Sequence, residues 1–273
     1  MINFRELYKN STWVEPFLIL TISLFVTASF ILYVMIIRSR NRNIRKERLR
    51  IEYSSLIEKL IFSIIFDDTP FSVIKEDKGY IKYANNPFFR EVITETIMNL
   101  HKNYEGVYAQ KLEKFYTESG LIKDSFKKLR NPKWEVKCKG ITELAEINAT
   151  KAFDTILTIS KGRNKTLKIT ALNACIKLRG TKGIVHLTEH HYPIDDWTQI
   201  NIINAFKKHD IGDTKGIELL LESQNSTVVT LGLKLIKELN LTQKIPYVTQ
   251  LAARTTNSQL KYKAQDVLQT LTV

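Results

Sequence analysis

Only two cysteines, six prolines and ten glycines stand among the 273 residues, and each scarcity removes a class of protein. Two cysteines cannot staple a disulfide scaffold. So few glycines and prolines leave too few tight turns for a sandwich or a barrel. The sequence also lacks a C-x-x-C pair for zinc or redox work, a glycine-rich phosphate loop, and an obvious histidine partner for either cysteine. Disorder is excluded from the other side, since 44% of the residues are hydrophobic. What remains is an all-α chain, long enough for one sizeable domain or two small ones.

Charge is missing from one long run. Phe17 to Ile37 are 21 consecutive uncharged residues, which at about 1.5 Å per residue cover roughly the 30 Å hydrocarbon core of a bilayer. A cleaved secretory signal is the competing reading, but its apolar core runs only about 7 to 15 residues before a small-residue cleavage site. We therefore expect a transmembrane helix over 17–37. Its flanks differ: Arg38, Arg40, Arg42, Arg45, Lys46, Arg48 and Arg50 stand against the single acid Glu47, whereas Arg5 and Lys9 are balanced by Glu6 and Glu15. Basic flanks stay in the cytoplasm. That places residues 1–16 outside as a short extracytoplasmic N-terminus and everything after Ile37 in the cytoplasm of a cell with a single-pass inner-membrane protein. Trp13 and Tyr33 suit the interfacial aromatic belts.

The same cluster explains much of the formal charge of +13. A basic protein often suggests nucleic acid, but here nearly half the excess is a topology determinant, in a juxtamembrane segment over 38–53. It also attracts anionic lipid headgroups, at about 1 kcal/mol per basic residue near the surface.

Residues 54–130 read as a helical region. Leu49, Tyr53, Leu56, Leu60 and Ile64 recur at helical spacing, so the membrane helix either runs on or restarts after a bend near Asn41 and Asn43. Further amphipathic helices are expected over Asn86–Lys102, with Pro87 at a tolerated first position, and over Tyr104–Ser119, stopped by Gly120. From Asn131 to the end the chain repeats. Gly140, Ala171, Asn201, Gly232 and Ala264 fall in one column, and Leu144, Cys175, Ala205, Ile236 and Leu268 in the next, with a spacing near 31 residues. A fixed period with small residues in one column indicates stacked helix pairs. The second helices are expected over Ala152–Ile159, Gly183–Glu189, Thr214–Leu221 and Ile245–Ala253, and the last helix, Leu260–Leu271, closes the stack.

These pairs resemble the short HEAT-like repeats also found in phycobilin lyases, and the stretch from Tyr80 to Ile147 is similar to membrane-anchored bacterial HEAT-repeat proteins with one N-terminal span. The resemblance implies a cytoplasmic α-solenoid over 131–273, the single-pass topology, and a scaffolding role beside envelope or polysaccharide-synthesis machinery. It implies no catalytic residues and no cofactor.

Several motifs invite sharper readings. His186-Leu187-Thr188-Glu189-His190 matches H-x-x-E-H, in which two histidines one helical turn apart hold zinc and the glutamate activates water. It lacks a third ligand and stands where a helix must soon stop at Pro193, so solvated histidines at a helix end are the better reading. Cys138 and Cys175 are read as reduced thiols on helices, with Cys175 buried. Asp195 or Asp196 is read as the cap of the helix beginning at Trp197, and Asp67-Asp68 as another helix boundary. Trp134 and Trp197 are either exposed anchors for a partner or fillers of the gaps between repeats, and burial is the expectation. The N-x-S/T sequons at Asn10, Asn148, Asn164, Asn225 and Asn240 are read as compositional.

The expected function is a non-catalytic, membrane-anchored scaffold that binds a protein partner, such as a membrane glycosyltransferase or another envelope protein, and membrane lipid but not nucleic acid. The alternative is a HEAT-like lyase or a metal-dependent enzyme using His186, Glu189 and His190.

Overall fold

The computed structural model describes residues 14–209, 211 and 214–272. The expectations for Asn10, Trp13 and the extracytoplasmic stretch through residue 13 lie outside the described residues. All regular structure among the described residues is helical.

The first helix, α1, runs unbroken over Val14–Ile65. No glycine or proline interrupts the sequence between Phe17 and Thr69, and the helix continues through Asn41 and Asn43 without a break. Among the described residues it is the one helix long and apolar enough to cross a bilayer by length and composition, with a window of mean hydropathy 2.4 of which none is buried. Hydroxyls in this run are satisfied locally: Thr21 Oγ1 donates to the Phe17 carbonyl at 2.8 Å, and Thr27 Oγ1 to that of Ser23 at 2.9 Å. The helix ends where Asp68 takes a positive φ of 52° and Pro70 follows.

The described chain divides into two compact units. One comprises α1 through Ile61 together with residues 77–93, which hold α3 (Lys78–Tyr83) and the start of α4 (Pro87–His101). Its core is aromatic. The Tyr53 ring lies 4.9 Å from Tyr83 and 5.3 Å, edge to face, from Phe89, while the Tyr83 hydroxyl donates to Glu52 Oε1 at 2.6 Å. Offset and edge-to-face pairs of this kind add about 0.5–1.5 kcal/mol beyond their area.

The other unit takes residues 62–76 and everything from Thr94. It contains α2 (Phe71–Ile74), α5 (Val107–Glu118), α6 (Leu121–Leu129), α7 (Trp134–Glu146), α8 (Phe153–Ser160), α9 (Lys165–Arg179), α10 (Asp196–Lys208), α11 (Ser226–Glu238), α12 (Ile245–Arg254) and α13 (Ser258–Thr272). Helices α6, α7, α9, α10, α11 and α13 form a row in which each packs on the next. A second row is made by the segments between them: α8 packs on α9, and the 3₁₀ turn Val185–Glu189 meets the 3₁₀ turn Ile217–Glu222, which meets α12.

Small residues set the close approaches. A Cβ on Gly140 would stand 2.7 Å from Lys128 Cβ and 2.9 Å from the Ser125 carbonyl oxygen of α6, and one on Gly232 would stand 3.0 Å from Leu220 Cβ. The apolar column of Leu144, Cys175, Ala205 and Ile236 is buried, and Leu268 half-buried.

Two of the expected second helices, Gly183–Glu189 and Thr214–Leu221, are 3₁₀ turns instead. In the first, amide donors step back three residues, from Ile184 to Thr181, Leu187 to Ile184 and His190 to Leu187. The apolar residues there recur at three, as Ile184 with Leu187 and Ile217 with Leu220, all fully buried. That spacing eclipses on a 3₁₀ helix, and Gly183, whose Cβ would stand 2.6 Å from the Cys175 carbonyl carbon, lets the segment lie directly against α9.

Candidate functional site

The seven basic residues from Arg38 to Arg50 all lie exposed on α1. At about 100° per residue, their positions distribute round the whole circumference, so they make a collar and not a stripe.

Burial of the tryptophans is overturned. Trp197 is 61% exposed and Trp134 41%. Each sits in the first turn of its helix, where the row of helices has not yet closed round it, and the gap between repeats is filled by Ile202, Ile203 and Phe206 further along α10. Tyr192 and Ile200 are exposed near Trp197 in sequence. Cys175 is fully buried, which pushes its thiol up to about 12, and Cys138 is half-buried; both are free.

The starts of several helices are built by Asn or Asp. Asn164 accepts from the Leu167 amide at 2.9 Å, Asp195 from Thr198 at 2.9 Å, Asn225 from Thr227 at 3.0 Å and Asn257 from Gln259 at 3.0 Å. Asn131 does the same for Lys133 just ahead of α7. Side-chain oxygens in these places satisfy amides left without partners at a helix start. The column 131, 164, 195, 225, 257 carries the same period as the apolar columns, and it was readable in the sequence as a recurring Asn or Asp. It also accounts for two sequons, while Asn148 and Asn240 occupy left-handed positions after α7 and α11 with φ near 52° and 51°.

Three polar clusters invisible to local patterning are assembled by packing. Buried Glu143 accepts from Ser125 Oγ at 2.5 Å and Lys128 Nζ at 2.5 Å, and Ser125 also meets the Tyr116 hydroxyl at 2.7 Å. His101, buried between α5 and α7, places Nε2 2.9 Å from Glu113 and Nδ1 3.6 Å from Glu146, too long for a hydrogen bond; Lys177 reaches Glu146 at 2.8 Å. The Glu146 carboxylate, followed by that of Glu113, raises His101 above its ordinary value against the opposing effect of burial. Burial by itself would raise Glu146, but His101 and Lys177 outweigh it and hold the carboxyl at about 2.

The third cluster contains the H-x-x-E-H residues. His186 and Glu189 fall on the 3₁₀ turn, and His190 follows it in extended backbone. Three residues per turn and the change of conformation remove the one-face, i to i+4 arrangement that zinc needs. His186 Nε2 stands 3.4 Å from Ser160 Oγ and His190 Nε2 3.4 Å from Lys168 Nζ. Among the described residues no group of three or more His, Cys, Asp or Glu side chains is arranged to hold a metal. Burial, then the nearby Lys161, Lys168 and His190, lower His186 to about 4.

Beside these residues the edge of the unit is open. A groove of about 800 Å³ is lined by Thr188, His190, His191, Leu219, Glu222 and Asn225. Its walls are cross-tied: Asn225 Nδ2 donates to the His190 and Tyr192 carbonyls at 2.8 and 2.7 Å, and Ser223 Oγ to that of Thr188 at 2.8 Å. Such ties hold His190 in place by backbone alone. No protein-family model, curated protein or solved structure matches the chain.

Proposed function

We propose that the protein is a membrane-anchored, non-catalytic scaffold whose helical repeats, of the short HEAT-like kind, hold a protein partner at the cytoplasmic face of a bacterial inner membrane. The observation that carries this reading is the surface of α1. Phe17, Leu24, Phe25 and Phe30 are each about two-thirds exposed, and no described residue covers them. An apolar cylinder of 21 residues left in water would be far larger than the exposed patches that soluble monomers tolerate, whereas lipid covers it and requires only that its backbone be internally bonded, as a helix is. The arginine collar lies immediately C-terminal, at the position where basic side chains both orient a span and meet headgroups on every side.

The repeats support the rest. Stacked helix pairs expose an extended surface, and tethering raises the effective concentration of that surface for membrane-bound partners. Trp197 and Tyr192 are exposed, aromatic anchors of the type that dominate binding energy. An enzymatic reading through His186, Glu189 and His190 has less behind it, because among the described residues no group of three or more His, Cys, Asp or Glu side chains is arranged to hold a metal.

The test is a mild-detergent purification of tagged full-length protein from its native membranes, crosslinked and read by mass spectrometry, beside a version lacking residues 131–273. Recovery of a stoichiometric membrane protein only when the repeats are present is the expected outcome, with crosslinked lysines marking the face used. Recovery of the same set by both versions, or of lipid alone, would overturn the scaffold reading.

A further inference from the structure

Ser160, Lys161, Lys168, His186 and His190 line a cavity of about 180 Å³ between the end of α8, the start of α9 and the 3₁₀ turn Val185–Glu189. A wider groove of about 670 Å³ shares Lys161, Lys168 and His190 and adds Arg163 and Lys165. Five basic side chains thus face a common space. The acids nearby do not neutralise it. Lys165 is paired with Asp195 at 3.2 Å, and that carboxylate is also occupied by the Thr198 amide. Glu189 lines both spaces but is exposed and makes no ion pair. Among the described residues, Lys161, Arg163 and Lys168 have no carboxylate within ion-pair distance.

Exposed lysines are ordinarily solvated and need no partner, but Lys168 is half-buried, and the one hydrogen bond of its ammonium goes to a histidine ring. The hydrogens on His186 can be assigned from its neighbour. Ser160 Oγ gives its proton to the Leu157 carbonyl at 2.7 Å, so at 3.4 Å it can only accept from His186 Nε2–H. His186 Nδ1 is then a bare lone pair, and it is buried without a partner. Buried polar atoms left so are few in folded proteins and mark either strain or a missing group. Lys161 and Lys168 are the fixed positive charges lining the cavity and Glu189, exposed at its rim, its one carboxylate, so an oxyanion can fill the place at Nδ1 once that nitrogen carries a proton.

We propose that this cavity binds a phosphate-type oxyanion, with Lys161 and Lys168 as fixed charges and His186 donating from Nδ1 once it has taken up a proton. The volume suits it. A water occupies about 30 Å³, so the cavity has room for one tetrahedral oxyanion together with a few waters, and the wider groove accommodates whatever the phosphate is attached to. Binding is proton-coupled: Lys161, Lys168 and His190 face His186 and disfavour its protonation, Glu189 and Asp195 are too exposed or too engaged to offset them, and the bound anion supplies the balancing charge. This site does not depend on the scaffold reading. A free phosphate and one carried by a lipid headgroup present the same oxygens to this site.

The experiment uses the full-length chain in nanodiscs, with calorimetry and NMR of the histidine rings. In phosphatidylcholine discs, inorganic phosphate and sulfate are titrated; sulfate keeps its charge between pH 5.5 and 8, so its pH profile reports proton uptake by the protein alone. A parallel arm replaces part of the lipid by phosphatidic acid. We expect saturable sulfate binding whose affinity falls with rising pH by up to about tenfold per unit, as uptake of one proton requires. Lys168→Gln should weaken it at least tenfold, His186→Gln should flatten the pH profile, and Lys127→Gln, far exposed on α6, should change neither. A shift of the His186 ring signals with phosphatidic acid alone identifies the headgroup as the source, and a shift with free phosphate alone identifies a soluble one. No saturable response to either, or a response that Lys168→Gln leaves intact, overturns the proposal.

Discussion

Replacing Gly140 by alanine sets two effects of opposite sign against each other. Gly140 lies within α7, where alanine is favoured over glycine by about 1 kcal/mol, so helix propensity by itself predicts a more stable protein. The packing predicts the reverse. The new Cβ would stand 2.7 Å from Lys128 Cβ and 2.9 Å from the Ser125 carbonyl oxygen, and neither is the free end of a flexible side chain, so α6 must retreat. Ser125 and Lys128 are also the two residues that donate to buried Glu143, at 2.5 Å each. Retreat therefore lengthens bonds to a carboxylate that is 3% exposed. Overpacking of this kind costs about 1–3 kcal/mol, and weakening a charge-assisted bond to a buried acid adds about 1–2 kcal/mol. After the propensity gain the variant should be about 1–4 kcal/mol less stable. For a helical unit of this size, that is a midpoint lowered by about 2–16 °C. The assay is thermal unfolding of the full-length protein in detergent, followed by circular dichroism at 222 nm, with Gly232→Ala as a milder second case because its nearest contacts are 3.0 Å. A Gly140→Ala protein that melts at or above the wild-type temperature would show that α6 and α7 are not in close contact, and would refute the reasoning.

Two further outcomes follow from the polar clusters. Glu146, held at about 2 from an ordinary 4.5, contributes stability that is fully present above about pH 4.5 and lost as pH falls toward 2; at 1.36 kcal/mol per unit this is about 3 kcal/mol at most, and about 1–2 kcal/mol after allowing for solvent screening. His101, raised by the same pair, adds stability that is present below its unfolded value near 6.5 and lost as pH rises through its higher folded one, whereas His186, kept neutral to about 4, costs stability as pH falls from 6.5. Urea unfolding of Glu146→Gln should therefore differ most from wild type between about pH 5 and 6 and converge with it near pH 2; a constant gap across that range would contradict the pairing. Asn225→Ala removes the cap of α11 and both bonds to the 190–192 backbone, a loss of about 2–3 kcal/mol, and hydrogen exchange should quicken over residues 188–194; exchange unchanged there would mean that Asn225 does not hold His190.

What could be read in advance was what acts within a few residues. The uncharged run from Phe17, the basic collar after it, the cap at Asp195 and the near-31-residue period are each local, because helix starts and apolar stripes are set by neighbours along the chain. Between Phe17 and Ile65 the chain has neither glycine nor proline, yet the sequence left a bend near Asn41 and Asn43 open beside a continuous helix. Other features were decided only by packing. The segment Val185–Glu189 is 3₁₀, and Gly183 just before it lies against the backbone of Cys175, eight residues earlier on α9; a spacing of three or four apolar residues does not distinguish the two helices. Trp197 is exposed because Ile202, Ile203 and Phe206 already fill the space that it was expected to take. His101 meets Glu113 and Glu146, and Lys168 meets His190, across separations that no local signal spans. Those meetings depend on how far each helix slides along its neighbour before side chains interlock, and that register is a property of the folded stack, where the small residues at 140, 171, 232 and 264 set the distances.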